Sequence, residues 1–130
     1  MDEAVSARWW RRATWMRLAS LTGLIAVLIW IFAYVAPLDP GLAANLRLGA
    51  TVQFMHSMAT FSCATFMNIG ARDARYAPAA FLPGILLFSG ACYAGGEAAP
   101  SPLLCGAGIA LLASGWLILA WSARTIDLDA

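Results

Sequence analysis

The segment Leu18–Ala36 decides the fold class, because it reads LASLTGLIAVLIWIFAYVA and contains no charged residue. A helix of about 20 apolar residues crosses the roughly 30 Å hydrocarbon core of a bilayer. The segment ends at Pro37-Leu38-Asp39-Pro40, where two prolines stop a helix. Since its apolar run is longer than that of a secretory signal, we interpret it as a transmembrane span.

Three further stretches have the same character. Each is uncharged, and they are Leu48–Ile69, Pro78–Gly95 and Leu103–Ser122. The sequence therefore predicts an all-α membrane protein with four transmembrane helices in a compact bundle, over residues 18–36, 48–69, 78–95 and 103–122. Residues 1–17 are predicted as an interfacial segment before this membrane domain (18–122), and residues 123–130 as a cytoplasmic tail.

The whole chain has the composition of a membrane protein. Of its 130 residues, 62% are hydrophobic and 12% are charged, whereas soluble domains carry about 25% charged residues. The net charge is only +1. Nucleic-acid binding depends on concentrated positive charge, so we expect no nucleic-acid partner.

The arginines predict the orientation in the membrane. With four spans, one side receives both termini and the 69–78 loop, and seven of the eight arginines fall there, while only Arg47 falls on the other side. Cytoplasmic loops are enriched in Arg and Lys. We therefore expect a multi-pass protein of a bacterial inner membrane with both termini in the cytoplasm. The seven arginines are Arg8, Arg11, Arg12, Arg17, Arg72, Arg75 and Arg124.

The segment before the first span alternates arginine and tryptophan. Trp prefers the headgroup region, and Arg pairs with lipid phosphate while its stem stays in the apolar layer. This pattern predicts an interfacial helix that contacts the lipid bilayer and leads into the first span. The expected lipid-interface residues are Arg8, Trp9, Trp10, Arg11, Arg12, Trp15 and Arg17.

The second span has one small and polar face. At about 100° per residue, Gln53, His56 and Thr60 fall in one arc, and Phe54 and Phe61 point elsewhere. Since polar groups facing lipid are costly, this face is expected to turn inward. One interpretation is a hydrogen-bonded contact with a neighbouring helix. The other is a ligand or proton-handling site.

His56 is the residue on which the second interpretation depends. It is the only histidine, which excludes a haem held by two histidines of one chain. A haem held by His56 and a methionine, or a chlorophyll or quinone contact through His56, stays open as a cofactor-binding role. The methionines within reach in sequence are Met55, Met58 and Met67.

The third and fourth spans offer surfaces for this polar face. Ser89 and Tyr93 share one face of the third span, and Gly106 and Ala110 belong to a stripe of small residues on the fourth. Small residues let helix backbones approach closely. We expect the polar face of the second span to pack against these two spans, with the Tyr93 hydroxyl bonded to Gln53 or to His56.

No catalytic or metal-binding motif occurs in the sequence. The three cysteines are widely spaced without a C-x-x-C pair, and we interpret them as small buried side chains. A zinc site lacks sufficient ligands. Since no span contains Asp, Glu, Lys or Arg, an ion pump or a proton-coupled carrier is disfavoured. We predict no enzymatic activity and no resident cofactor.

Three short motifs resemble those of a known family. The run Gln53-Phe54-Met55-His56 with Met58-Ala59 resembles Y-Q-x-x-H-A, and the run 87–93 (LFSGACY) resembles L-F-S-G-S-L-Y. The third motif, Ser101-Pro102 with Gly106, Gly108 and Gly115-Trp116, is similar to T-P-x-G-G…G-W. Residues 48–122 thereby resemble the YgdD-type family of small four-helix membrane proteins. Val52 replaces the Tyr of the first motif, and the first span lacks the family's G-A-F-G-A-H ending. The resemblance implies the fold and the membrane, and no chemistry.

Three functions follow as hypotheses. The first is a non-enzymatic accessory or structural subunit of a larger inner-membrane complex, respiratory or photosynthetic, with other membrane-protein subunits as partners. The second is a membrane anchor subunit that binds a cofactor or quinone through His56. The third is a homo-oligomeric passage for a small neutral solute along the face of Gln53, His56 and Thr60.

Overall fold

The computed structural model describes residues 10–126 and residue 128. Four helices follow one another: α1 Arg12–Val35, α2 Pro40–Asn68, α3 Pro78–Ala94 and α4 Pro102–Ser122. Short 3-10 turns precede α3 (Arg72–Tyr76) and follow α4 (Ala123–Thr125). The described part of the chain contains no strand. The predicted all-α class with four helices is confirmed.

The α1–α2 connection is shorter than the predicted spans suggest, because α2 begins at Pro40 and not at Leu48. The Asp39 carboxylate accepts hydrogen bonds from the backbone N–H of Gly41 at 2.7 Å and of Leu42 at 3.4 Å. Pro40 occupies the first helical position, where its missing N–H costs nothing. One Pro-Leu-Asp-Pro run therefore ends α1 and begins α2.

The other end of α2 is closed by a glycine in a left-handed conformation. Gly70 has φ +107°, and the N–H of Ala71 donates to Phe66 O at 2.9 Å. This pattern is a Schellman cap, in which glycine is preferred because it carries no Cβ. The cap ends α2 and leads the chain into the 3-10 turn before α3.

The extensive helix contacts are those between neighbours in the chain: α1 on α2, α2 on α3 and α3 on α4. At one end, Arg12 donates to Asn68 at 2.7 Å and Arg124 forms an ion pair of 2.9 Å with Asp73. The start of α1, the end of α2 and the end of α4 thus lie together at this end. At the opposite end, Asn45 of α2 donates to the carbonyls of Gly96 and Ala98, which follow α3.

Small apolar residues are buried and large apolar residues are exposed, which is the opposite of the arrangement in a water-soluble bundle. The buried residues of α1 are mostly small, with Ala19, Gly23 and Ala26 facing α2. Large side chains point outward, and Leu28 of α1 and Leu117 of α4 are 57% and 71% exposed. Large apolar surfaces around a small-residue interface are typical of a membrane protein, where helices pack by close approach.

Three segments are long and apolar enough to cross a membrane: Arg12–Val35, Arg72–Ala94 and Pro102–Thr125. Helix α2, predicted as the second of four spans, is not among them. It is 29 residues long, but the polar side chains of its inner face lower its hydropathy. A span whose polar groups bond to neighbouring helices is less apolar than one that faces lipid all round.

Candidate functional site

One face of α2 carries polar side chains into the interior of the protein. Gln53 is 5% exposed, and Ser57 and Thr60 are buried near it. Positions three or four apart share a helix face, which places all three on one side. Buried polar groups need partners in an apolar surrounding, so their hydrogen bonds decide what this face can do.

Gln53 joins α2 to both neighbouring helices. Its Nε2 donates to Thr22 O on α1 at 2.7 Å, and its Oε1 accepts from the Tyr93 hydroxyl on α3 at 2.7 Å. The hydroxyl oxygens of Thr22 and Ser57 lie 2.8 Å apart. We refer to these residues as the polar clasp: Thr22, Gln53, Ser57 and Tyr93. Both ends of the Gln53 amide are thereby used in bonds between helices.

Gly49 allows α3 to come close enough for this contact. A Cβ at position 49 would lie 2.6 Å from Tyr93 Cε1 and 2.9 Å from Cys92 Cβ. The Ser89 hydroxyl donates to Gly49 O at 2.8 Å. The Tyr93 ring therefore rests on bare backbone, and its hydroxyl reaches the amide one turn further along α2. Of the two partners expected for Tyr93, the structure shows Gln53.

His56 lies at the edge of the same face and turns toward α4. Its Nδ1 is 2.8 Å from Val52 O, and the Trp116 indole Nε1 donates to its Nε2 at 3.1 Å. A carbonyl only accepts a hydrogen bond and an indole N–H only donates one. This network assigns the neutral ring with its proton on Nδ1. Both ring nitrogens are engaged within the chain.

An aromatic cluster and a groove adjoin His56. The ring centroids of His56 and Phe81 are 5.7 Å apart, and those of Phe81 and Trp116 are 5.5 Å apart. A groove of about 320 Å³ opens beside them, lined by Val52, His56, Phe88, Ile109, Leu112, Ala113 and Trp116. Apart from the ring nitrogens of His56 and Trp116, the lining side chains are apolar.

The residues around His56 do not form the axial pair of a haem. Met55 and Met58 are 56% and 51% exposed and line grooves that α2 shares with α1, and Met67 lies about 16 Å along the helix from His56. A ligand of Nε2 would first displace the Trp116 N–H. In the described ranges, no group of three His, Cys, Asp or Glu side chains could hold a metal ion.

Several predicted site residues take no part in the hydrogen bonds between helices. The Thr60 hydroxyl donates to His56 O of its own helix at 2.7 Å, so it joins no other helix. Gly106 and Ala110 are exposed, and α4 packs on α3 through Gly108, Leu112 and Gly115 instead. This corrects the expected packing face of α4. A Cβ on Gly108 would lie 2.7 Å from Phe88 N, which shows how closely the backbones approach there.

The polar face of α2 also packs differently from expectation. The sequence predicts that it packs against the third and fourth spans, yet the clasp joins α2 to α1 and α3, and His56 alone bonds to α4. Thr22, Ser57 and Trp116 are partners that the sequence pattern did not identify. Thr22 and Ser57 are hydroxyl side chains inside apolar spans, and such residues commonly hydrogen-bond across helices. This signal could have identified both.

The N-terminal lipid-interface residues divide into three groups. Arg8 and Trp9 lie outside the described residues. Trp10, Arg11, Arg12 and Arg17 are exposed at the start of α1. Trp15 is 2% exposed, so its side chain packs inside the protein; it shares the face of Ala19 and Gly23 that packs on α2. From Arg12 onward this segment is continuous with the first span, and no break separates an interfacial helix.

Residues 32–99 match the model of the family described as proteins of unknown function, DUF423. The chain belongs to this family. The DUF423 segment includes all of α2 and α3, and with them Gln53, His56, Ser89 and Tyr93, whereas Trp116 lies beyond it. No curated protein and no solved structure matches the chain. The YgdD-type resemblance is compatible with DUF423 membership.

Proposed function

We propose that this DUF423 protein is an integral membrane protein with four transmembrane helices that serves as a non-enzymatic structural subunit of a larger inner-membrane assembly. The observation that carries the proposal is the polar clasp. Its amide and hydroxyl groups bond to one another and to backbone, so they hold helices together and offer no open face to a substrate.

The proposal requires α2 to cross the membrane in addition to the three segments that are apolar enough by composition. Its 29 residues extend about 43 Å at 1.5 Å per residue, which exceeds the roughly 30 Å hydrocarbon core. Gln53, its most polar buried side chain, is satisfied by α1 and α3, which removes the main cost of placing it in lipid. We place Pro40–Arg47 at the outer interface and the remainder across the core.

The proposed orientation has both termini in the cytoplasm. Arg12, Arg75 and Arg124 belong to the end of the bundle where Arg12 meets Asn68 and Arg124 meets Asp73. Arg47 belongs to the opposite end, near Ala33 of α1. This one-sided clustering supports a cytoplasmic assignment for the arginine-rich end. A cysteine-accessibility test with single cysteines at positions 75 and 99 checks it: only position 99 should react from outside.

The exposed face of α4 that carries Gly106 and Ala110 is the surface that we assign to the partner subunit. A Cβ added at Gly106 would meet no atom of another helix within 4 Å, and Ala110 is also exposed. Helix α4 packs extensively on α3 alone. A stripe of small residues on such an edge helix admits a second helix at close range.

The test is purification of the tagged full chain from its native membrane in mild detergent. We expect a defined partner at constant stoichiometry, which is lost in Gly106→Leu/Ala110→Leu and kept in Ala107→Leu. Ala107 is also exposed on α4 and lies about 100° from Gly106 and about 60° from Ala110 around the helix. Isolation of the wild-type chain alone, or a partner that survives the double substitution, would contradict the proposal.

A second candidate function uses the groove beside His56. Its apolar lining and the half-exposed Trp116 would suit the flat ring and tail of a quinone. In the intact membrane complex, His56→Ala should then change a quinone-linked rate or an absorption band, and Trp116→Phe should do so more weakly. An unchanged rate and spectrum in both variants would reject this candidate.

The third candidate, a passage for a neutral solute, is the least favoured by the geometry. The side chains expected to line it, Gln53 and His56, are bonded to Thr22, Tyr93 and Trp116. Solute flux into proteoliposomes that exceeds flux into empty vesicles would revive it.

A further inference from the structure

An apolar groove made of two adjoining parts runs along the α1–α2 interface. Its wider part has a volume of about 390 Å³, and a neighbouring part of about 370 Å³ shares Val27 and Phe54 with it. Along α1 the two parts extend from Ala19 to Ile31, which is about 18 Å at 1.5 Å per residue. This length approximates one leaflet of the hydrocarbon core.

A chain of side-chain contacts leads from the wider part of this groove to Arg47. Trp30 lines the groove, and its ring centroid is 4.5 Å from that of Tyr34. The Arg47 guanidinium carbon lies 4.2 Å from the Tyr34 ring centroid. On α2, Arg47 is one turn before Thr51, which also lines the groove. The cation therefore stands at one end of the groove.

The charge of Arg47 has no counter-ion within the described chain. Its Nη2 donates to Ala33 O at 3.1 Å, and its Nε is buried without a hydrogen-bond partner. The ion pair that the described residues form joins Arg124 to Asp73 at the other end of the bundle. A cation at the edge of an apolar region is costly unless an anion joins it, and guanidinium suits a phosphate.

We propose that Arg47 and the α1–α2 groove bind one anionic glycerophospholipid, with the phosphate at the guanidinium and an acyl chain along the groove. This inference rests on the membrane location proposed above. The lipid belongs to the leaflet at the Arg47 end, which is the outer leaflet in the proposed orientation. The aromatic pair Trp30 and Tyr34 sits between headgroup and chain, where amphipathic rings are favoured.

The test uses the full chain in vesicles of phosphatidylcholine and phosphatidylglycerol in which one lipid or the other carries brominated acyl chains. Bromine quenches nearby tryptophan, and the Trp30 contribution is the difference between the wild type and Trp30→Phe. We expect brominated phosphatidylglycerol to bind beside Trp30 about fivefold more favourably than brominated phosphatidylcholine.

Matched variants separate charge from packing. Arg47→Gln should abolish the preference, Arg47→Lys should keep most of it, and Val27→Phe should lower quenching by both lipids by filling the groove. Arg75→Gln is the control, because Arg75 also lies over a tyrosine ring, 4.7 Å from the centroid of Tyr76, but adjoins neither part of this groove. It should leave the preference intact. Circular dichroism and gel filtration in detergent confirm that each variant folds.

Three results would overturn the inference. The first is equal quenching of Trp30 by both lipids in the wild type, and the second is a preference that survives Arg47→Gln. Either one contradicts the lipid site and leaves the proposed membrane location unaffected. Failure of the chain to float with vesicles, together with no quenching by either lipid, contradicts the membrane location and the lipid site with it.

Discussion

The Trp116 indole donates to His56 Nε2 across 3.1 Å and so connects α4 to α2. These two helices lack the extensive interface that each makes with α3. The bond uses the nitrogen that a ligand would otherwise approach from the groove. It also determines the tautomer, since His56 Nδ1 faces the Val52 carbonyl at 2.8 Å. Both ring nitrogens of His56 are therefore occupied by partners within the chain in this arrangement.

Trp116→Phe should release the tautomer of His56. The phenyl ring preserves aromatic packing on Phe81 but has no N–H, so Nε2 loses its donor. Because the chain has one histidine, nitrogen NMR of histidine-labelled protein reports this site alone. We expect the wild type to show the Nδ1-protonated ring and Trp116→Phe to show a mixture of tautomers, with a stability loss of about 1 kcal/mol.

Trp121→Phe is the control for that experiment. Trp121 is also an exposed α4 tryptophan, and its ring lies under the Arg124 guanidinium and not beside His56. It should leave the histidine spectrum unchanged. An Nε2-protonated ring in the wild type would contradict the hydrogen bond itself.

Tyr93→Phe should weaken the α2–α3 contact. It removes the donor to Gln53 Oε1 and leaves that oxygen buried without a partner. Hydrogen bonds between membrane helices contribute about 0.6 kcal/mol on average and up to about 1.7. We expect a loss near the upper value in the free energy of unfolding, measured by denaturant titration in micelles. Tyr34→Phe, whose hydroxyl bonds to nothing in the described chain, should cost less than half as much.

A double-substitution cycle makes the same prediction sharper. Once Gln53 is replaced by Met, the Tyr93 hydroxyl has lost its acceptor, so Tyr93→Phe should then be nearly neutral. Equal costs of Tyr93→Phe in both backgrounds would show that the Gln53–Tyr93 bond contributes nothing to stability.

Much of the architecture follows from local signals in the sequence. The uncharged runs around Leu28 and Leu112 predict helices because apolar stretches of that length have few other stable forms in lipid. The start of α2 at Pro40 is also encoded, since Asp39 precedes a proline that suits the first helical position. The start predicted at Leu48 is eight residues too late, because the uncharged run begins only after Arg47 while the helix already begins at Pro40. Absence of charge indicates which residues lie in the membrane, and it does not indicate where the helix begins.

The pairing of helix faces could be predicted only in part. Periodicity places Gln53 and His56 on one inner face, but two positions 60° apart can face different helices once a bundle is assembled. Small residues are ambiguous for another reason: both Gly106 and Gly108 suit close approach, and only the three-dimensional arrangement shows that Gly108 is the one under Phe88. The Trp116–His56 bond has no local signal at all.

Gly108→Ala should separate α3 from α4. The added methyl would lie 2.7 Å from Phe88 N and 2.8 Å from Phe88 Cβ, so backbone must move. Overpacking of this kind costs about 1–3 kcal/mol, which should lower the unfolding midpoint in detergent. Gly106→Ala, with open space around it, should be neutral or stabilising because alanine favours helix. A Gly108→Ala variant as stable as Gly106→Ala would contradict the described α3–α4 interface.

Arg47 and Pro37 should be energetically coupled through one carbonyl. In a continuing helix the Ala33 carbonyl would accept from the N–H of residue 37, but Pro37 has none. The Arg47 Nη2 donates to Ala33 O at 3.1 Å in its place. We therefore expect Arg47→Gln to cost about 1.5 kcal/mol or more in the wild type, as loss of a charged donor to a buried acceptor does.

In a Pro37→Ala background the same substitution should cost about 1 kcal/mol less, because the new N–H can take over the carbonyl. Leu38→Ala provides the matched background: Leu38 N already donates to Ala36 O, and its replacement keeps that N–H, so the cost of Arg47→Gln should be unchanged there. Unfolding titrations of the four variants in each cycle give the coupling. If Pro37→Ala and Leu38→Ala alter the cost of Arg47→Gln equally, Arg47 does not replace the proline's missing donor.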